Sequence, residues 1–158
     1  MMLSMKEIIN RVSEWVMVII ITIMILAVCW QVLSRYVLSN PSGFTEELLR
    51  YSLIWLTMIG GAYAYGKGKH IAVTFATRKL SELNRKRLSV MTDFIVVLFV
   101  AIAFVYGGFM TSQNAVGQVS AALRMPMQFL YLSLIVAGLI IIFHAISNML
   151  QTVKDVKK

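Results

Sequence analysis

The chain has 158 residues, 59% of them apolar and 14% charged, and its mean hydropathy of +0.78 excludes an ordinary soluble domain. Fifteen Lys and Arg against seven Asp and Glu give a net charge of +8, which in a soluble protein would suggest nucleic acid as a partner. Here the basic residues gather between and after apolar runs, where they suit an anionic phospholipid surface, and a nucleic-acid partner is not expected.

The length accommodates four spanning helices of about 20 residues each. The expected fold is an all-α membrane protein, a single membrane domain over residues 1–158 with spans at about 15–38, 45–66, 88–110 and 127–149. Residues 1–14 carry Ile8, Ile9 and Val12 at a spacing that suits an amphipathic turn on the membrane surface, and Trp15 marks the interface. The first apolar run closes at Arg35-Tyr36 without a small-x-small cleavage site, so an uncleaved span is expected. Cys29, the only cysteine, lies inside this run. An intramolecular disulfide and a cysteine-rich metal site are therefore excluded, and Cys29 reads as a small packing residue.

Ser39-Asn40-Pro41-Ser42-Gly43 reads as a turn. The second helix follows at once, with Thr45 as the expected N-cap and Glu46 and Glu47 at the positive end of the helix dipole. Arg50 stands one turn on, at i,i+4 from Glu46 and i,i+3 from Glu47. Trp55 is expected near mid-depth, where an indole needs a packing partner. The small residues Gly60 and Ala64, Ala62 and Gly66, and Ala64 and Gly68, each pair four apart, permit close approach of another helix.

From 66 to 87 the chain is basic, with Lys67, Lys69, Arg78, Lys79, Arg85, Lys86 and Arg87, yet it keeps Ile71, Val73, Phe75, Leu80 and Leu83. This mixture predicts a basic amphipathic interfacial segment between helices two and three. Ser81 is the expected cap of the next helix, with Asp93 in its first turns. Before the last span, Pro126 is expected in the first helical turn, just after Arg124. The positive-inside rule puts both termini and the 66–87 segment in the cytoplasm, with Glu46, Glu47 and Arg124 on the outer side.

Glu46, Glu47 and Arg50 read either as a polar contact for a partner or as helix capping with a surface ion pair. A sodium site there is disfavoured, because Arg50 competes for carboxylates that a hard cation would need. His70 and His144 raise the possibility of axial haem ligands, although a structural interfacial histidine is commoner. The eleven methionines suit adaptable packing. No motif of nucleophilic catalysis, phosphate cradling or metal hydrolysis occurs, so neither an enzyme nor a bound cofactor or metal is expected. Two other classes compete: a haem- or quinone-associated membrane anchor of a redox enzyme, and a small homodimeric exporter. The exporter needs a carboxylate at mid-depth, whereas Asp93 and Glu14 read as lying near span ends.

Taken in order, these residues resemble the small membrane subunit of the TRAP (tripartite ATP-independent periplasmic) transporters. The resemblance covers most of the chain. It rests on Arg35-Tyr36, on Glu46-Glu47-Leu48-x-Arg50, on Trp55 followed by Gly60-Gly61-Ala62, on Gly68-x-His70-Ile71-x-Val73, and on Ser120-Ala121-Ala122-Leu123 with Pro126. Phe44 and Thr74 depart from it, the family usually having Trp and often an acidic residue near those positions. The resemblance implies a scaffold subunit of a sodium-coupled transporter in the bacterial inner membrane. It would act with a large membrane subunit and a periplasmic substrate-binding protein that delivers an organic acid of the dicarboxylate or sialic acid class. It also implies that Glu46, Glu47, Arg50, Trp55, Gly60, Ala62, His70 and Arg124 serve assembly or docking.

Overall fold

A computed structural model of the chain describes residues 2–67 and 82–156. The elements in order are α1 (Met2–Tyr36), α2 (Gly43–Lys67), α3 (Glu82–Val100), a π-helical segment (Ala101–Tyr106), α4 (Gly107–Asn114) and α5 (Gln128–Val156). The described residues are helical apart from turns and one isolated bridge between Val119 and Pro126. Three helical stretches are long and apolar enough to cross a membrane: Met5–Tyr36, Asn84–Asn114 and Gln128–Val153.

α2, where a fourth span is expected, has 25 residues and so a length of about 37 Å at 1.5 Å per residue. Its glycines, tyrosines and charged first turns keep it outside the class defined by length and hydropathy. The basic interfacial segment lies mostly at 68–81, outside the described residues, and with it lie Lys69, His70, Arg78, Lys79 and the expected cap Ser81.

Several boundaries differ from the sequence reading for local reasons. Residues 2–14 do not form a separate surface turn but continue into the span as one helix, since no Gly or Pro interrupts the run. α2 begins at Gly43, and Ser42 supplies the cap expected of Thr45: its Oγ accepts the Thr45 N–H at 3.4 Å, while the Thr45 hydroxyl donates back to the Ser42 carbonyl at 3.0 Å. Pro126 precedes α5 instead of entering it. The Ser120 and Met125 backbones pair at 2.9 Å, and Met127 N–H donates to the Gln118 carbonyl at 3.0 Å. Arg124 takes a left-handed φ of 50° to close this loop.

α5 is the central helix, packed on α2 and on the whole α3–π–α4 arm, while α1 leans on α2 and barely reaches α5. Ser133, Ala137, His144 and Asn148 are buried along α5 at i+4 and i+7 spacings that define one inward stripe. Gly138 allows the arm to close: a Cβ there would stand 3.0 Å from Phe104 Cβ and 3.1 Å from Val105 Cγ2, both in the π segment. On α1 only 6% of the most apolar window is buried within the chain. That uncovered surface needs lipid or protein against it.

Candidate functional site

Two polar assemblies hold the helices together, one at each end of α2. At the end near the α1–α2 turn, Glu47 Oε2 accepts the backbone N–H groups of Ala122 and Leu123, each at 2.7 Å. Two consecutive N–H groups aimed at one oxygen form a small anion nest, and a carboxylate in it makes charge-assisted bonds about twice as strong as neutral ones. The Tyr51 hydroxyl stands 3.2 Å from the other Glu47 oxygen and 3.1 Å from Met127 Sδ. Ser120 Oγ accepts the Met125 N–H at 3.1 Å, which braces the loop from within. Glu47 therefore locks the loop between α4 and α5 onto the start of α2.

Glu46 points elsewhere. Its Oε1 meets Arg50 at 3.2 Å, and both side chains are about two-thirds exposed (65% and 67%), so the pair contributes little to stability. Beside them, Gly43, Ala121 and Ala122 complete a shallow depression of about 180 Å3. Arg124 is exposed at the edge of the same loop. Of the four residues expected to meet a partner here, Glu46, Arg50 and Arg124 present their charges outward, while Glu47 is spent inside the chain.

At the other end, Tyr63 and Lys67 of α2 converge on Glu14 of α1. The Tyr63 hydroxyl donates to Glu14 Oε1, Lys67 Nζ lies 3.4 Å from the same oxygen, and the ammonium sits 5.4 Å from the centre of the Tyr63 ring. Two residues on, and so on the opposite side of α2, the Tyr65 hydroxyl donates a 2.7 Å bond to Asp93 Oδ1 on α3. Asp93 is 0% exposed. The sequence reading put Asp93 near a span end; the structure shows its carboxyl buried and joined across to α2 through Tyr65.

His144 of α5 is also fully buried, and its imidazole rests on Gly66. A Cβ at Gly66 would come within 2.7 Å of His144 Nε2, so only glycine admits the ring at this separation. Phe143 meets the imidazole edge-on at 5.8 Å. Lys6 reaches from α1 to Asn148 Oδ1 at 2.7 Å and Gln151 Oε1 at 3.5 Å, tying the helix termini together. Just ahead of the Asn84–Asn114 stretch, Glu82 lies 3.0 Å from Lys86, whose hydrogen bond and charge hold the Glu82 carboxyl below the usual carboxylate range.

The remaining expected residues are dispersed. Trp55 is half-buried on α2. Ala62 is fully buried, and a Cβ on Gly60 would meet Met17 Sδ at 3.6 Å, so Gly60 lies at the seam with α1. Arg85 and Arg87 are exposed. The Tyr65–Asp93 bond and the seating of His144 on Gly66 went unread in the sequence. The available signal was an aspartate inside a span, which is by default a functional or structural centre.

Comparison with known proteins places this geometry in a family context. Residues 24–155 match the tripartite ATP-independent periplasmic transporters, DctQ component. A putative TRAP transporter small permease protein of Haemophilus influenzae is 26% identical over 153 residues, covering 97% of this chain and 94% of that protein. The sialic acid TRAP transporter small permease protein SiaQ of Vibrio cholerae is 25% identical over 150 residues, covering 95% and 86% respectively. The sialic acid TRAP transporter permease protein SiaT of Haemophilus influenzae is 24% identical over 138 residues, which make up 87% of this chain but only 22% of that permease.

Proposed function

The chain belongs to the DctQ-component family of tripartite ATP-independent periplasmic transporters, the small permease subunits of these systems, and from that premise we propose that it is the scaffold around which a large membrane subunit is held. The observation that carries this reading is the division of polar groups. Glu47, Glu14, Tyr65 and Asp93 are engaged in joining the chain's own helices, while the apolar faces of α1 and α3 are left open. Such a molecule is braced internally and offers large apolar surface to a neighbour. The SiaT match supports the same picture, since there a region similar to this chain is part of a much longer permease. A separate chain must find such a partner through its surface.

In this reading α2 is the fourth span. It is long enough, and it lies between α1 and α5; in its charged first turns Glu47 is met by the Ala122 and Leu123 amides, and Glu46 and Arg50 pair with each other at the exposed end. The termini and the 66–87 segment lie in the cytoplasm, in the inner membrane of a bacterium. The exposed Glu46, Arg50 and Arg124 then form the outer polar rim, where a periplasmic substrate-binding protein docks. The transported solute is an organic acid, with sialic acid suggested by the names of two relatives and a dicarboxylate the other class considered. The large subunit carries the coupling to sodium. The redox-anchor alternative draws no support from the relatives, and His144 packs directly on the α2 backbone, which leaves its Nε2 no open approach.

The test is co-expression with a tagged large subunit and recovery of the pair in detergent. Replacing open-face residues Phe94 and Leu98 with Ala should weaken recovery, whereas Glu46→Ala should leave recovery intact and lower binding of the periplasmic protein. Recovery unaffected by any open-face substitution would overturn the scaffold reading.

A further inference from the structure

The seam between α1 and α2 opens into two hollows that follow one another. Ile21, Met24, Ile25, Val28 and Cys29 of α1 and Leu56 of α2 line an entirely apolar one of about 380 Å3. Toward the α1–α2 turn, Gln31, Arg35, Ser42 and Glu46 are among the lining of a second, polar one of about 360 Å3. With about 100° of rotation per residue, Ile21, Met24, Ile25, Val28, Gln31 and Arg35 fall on one face of α1. The hollows therefore share that face, and Ile21 to Arg35 spans about 21 Å at 1.5 Å per residue.

The charges at the polar end are unequal. Glu46 is engaged through Oε1 by Arg50 at 3.2 Å. Arg35 makes no ion pair among the described residues; its guanidinium lies 5.9 Å from the centre of the adjacent Tyr36 ring. Among the described residues, a cation without a counter-ion thus stands with the Gln31 amide on the same face of α1 as the apolar hollow. The length of that face, from Arg35 to Ile21, is about one leaflet of hydrocarbon, roughly 15 Å, plus a headgroup.

We propose that this groove binds one glycerophospholipid, its phosphate on Arg35 with Gln31 alongside and an acyl chain running down past Val28 to Ile21. Both ends of the ligand are matched. The guanidinium fork suits phosphate oxygens, and the lower hollow offers no polar group that would resist hydrocarbon. The inference goes beyond the scaffold reading and depends only on the chain's lying in a membrane. Its consequence is that the α1–α2 seam is filled by lipid at the outer end, so the large subunit must contact the chain elsewhere.

The experiment is native mass spectrometry of the full chain, delipidated in detergent and offered palmitoyl-oleoyl phosphatidylglycerol, the matching phosphatidylethanolamine, or phosphate-free palmitoyl-oleoyl glycerol. One molecule of either phospholipid should be retained under collisional activation, and the phosphate-free lipid about tenfold less, as loss of a charge-assisted contact implies. Arg35→Gln should reduce phospholipid retention by a similar factor, and Arg85→Gln, at the opposite end, should not. Val28→Trp, which fills the lower hollow, should also reduce it; should that variant not fold, Arg35→Gln decides alone. Equal retention by Arg35→Gln, or equal retention of the phosphate-free lipid, would overturn the site. So would loss of the lipid on co-purification with the large subunit, which would assign the groove to protein.

Discussion

Tyr65 Oη lies 2.7 Å from Asp93 Oδ1, and this one bond joins the end of α2 to α3 around a carboxyl group with no exposure at all. A buried carboxyl deprived of a hydrogen-bond donor loses stability by about 1–3 kcal/mol. Tyr65→Phe should therefore lower the thermal midpoint of the detergent-solubilised chain clearly, whereas Tyr36→Phe, at an exposed position, should not move it. Equal midpoints for the two variants would remove the bond from the account of stability.

Glu47 supplies a second prediction. Its carboxylate holds the Ala122 and Leu123 amides at 2.7 Å, so Glu47→Ala should leave both unmatched and speed their hydrogen exchange by about tenfold or more, as loss of roughly 1.5–3 kcal/mol of charged hydrogen bonding implies. Glu46→Ala should leave those amides protected. Unchanged exchange in Glu47→Ala would mean that the loop holds itself through Ser120 alone.

The contrast between Glu46 and Glu47 shows what was legible in the sequence. Adjacent glutamates opening a helix announce capping and polarity, and the positive-inside count puts both on the outer side alike. Which one turns inward depends on where Ser120-Ala121-Ala122-Leu123 lands, and that loop is more than seventy positions away, beyond any local periodicity. The helices themselves could be read because each apolar run is long and bounded by Gly, Pro or charge. The burial of Asp93 is a like case. Its depth follows from α3 starting at Glu82 and from Tyr65 facing it across the bundle, neither of which is a property of its neighbours in sequence.

Two glycines in α2 should respond in opposite senses to alanine. Gly61 has nothing within 4 Å of where a Cβ would stand, so Gly61→Ala should be neutral or raise stability by up to about 1 kcal/mol through helix propensity. At Gly66 the new carbon would stand 2.7 Å from His144 Nε2, and Gly66→Ala should lower the thermal midpoint. His144→Ala should relieve that clash when the two changes are combined. A double variant no better than Gly66→Ala would show that the strain lies elsewhere.

The proposed topology rests on charge placement and is open to labelling. Cys29 is exposed on α1, so single cysteines at Ser42 and Lys86 are best placed in a Cys29→Ala background. An impermeant maleimide on intact cells should label the first and spare the second. The reverse pattern would invert the proposed orientation.

The last prediction concerns what the chain does by itself. Two of its carboxylates are tied into helix-to-helix contacts: the buried Asp93 receives the Tyr65 hydroxyl, and the half-exposed Glu14 receives both Tyr63 and Lys67. A carrier needs its coupling groups to change partners as it alternates between two accessible states, and groups that brace a bundle resist such exchange. Uptake should accordingly require the large subunit and the periplasmic binding protein, with this chain setting how the first is held. Proteoliposomes containing the chain alone should accumulate no sialic acid or dicarboxylate under an inward sodium gradient. Adding the large subunit and loaded binding protein should start uptake, and Glu46→Ala should slow it in proportion to weakened docking while co-purification of the two membrane subunits is unchanged. Sodium-driven uptake by the chain alone would sink the division of labour proposed here, because the braced carboxylates would then have to be the moving parts.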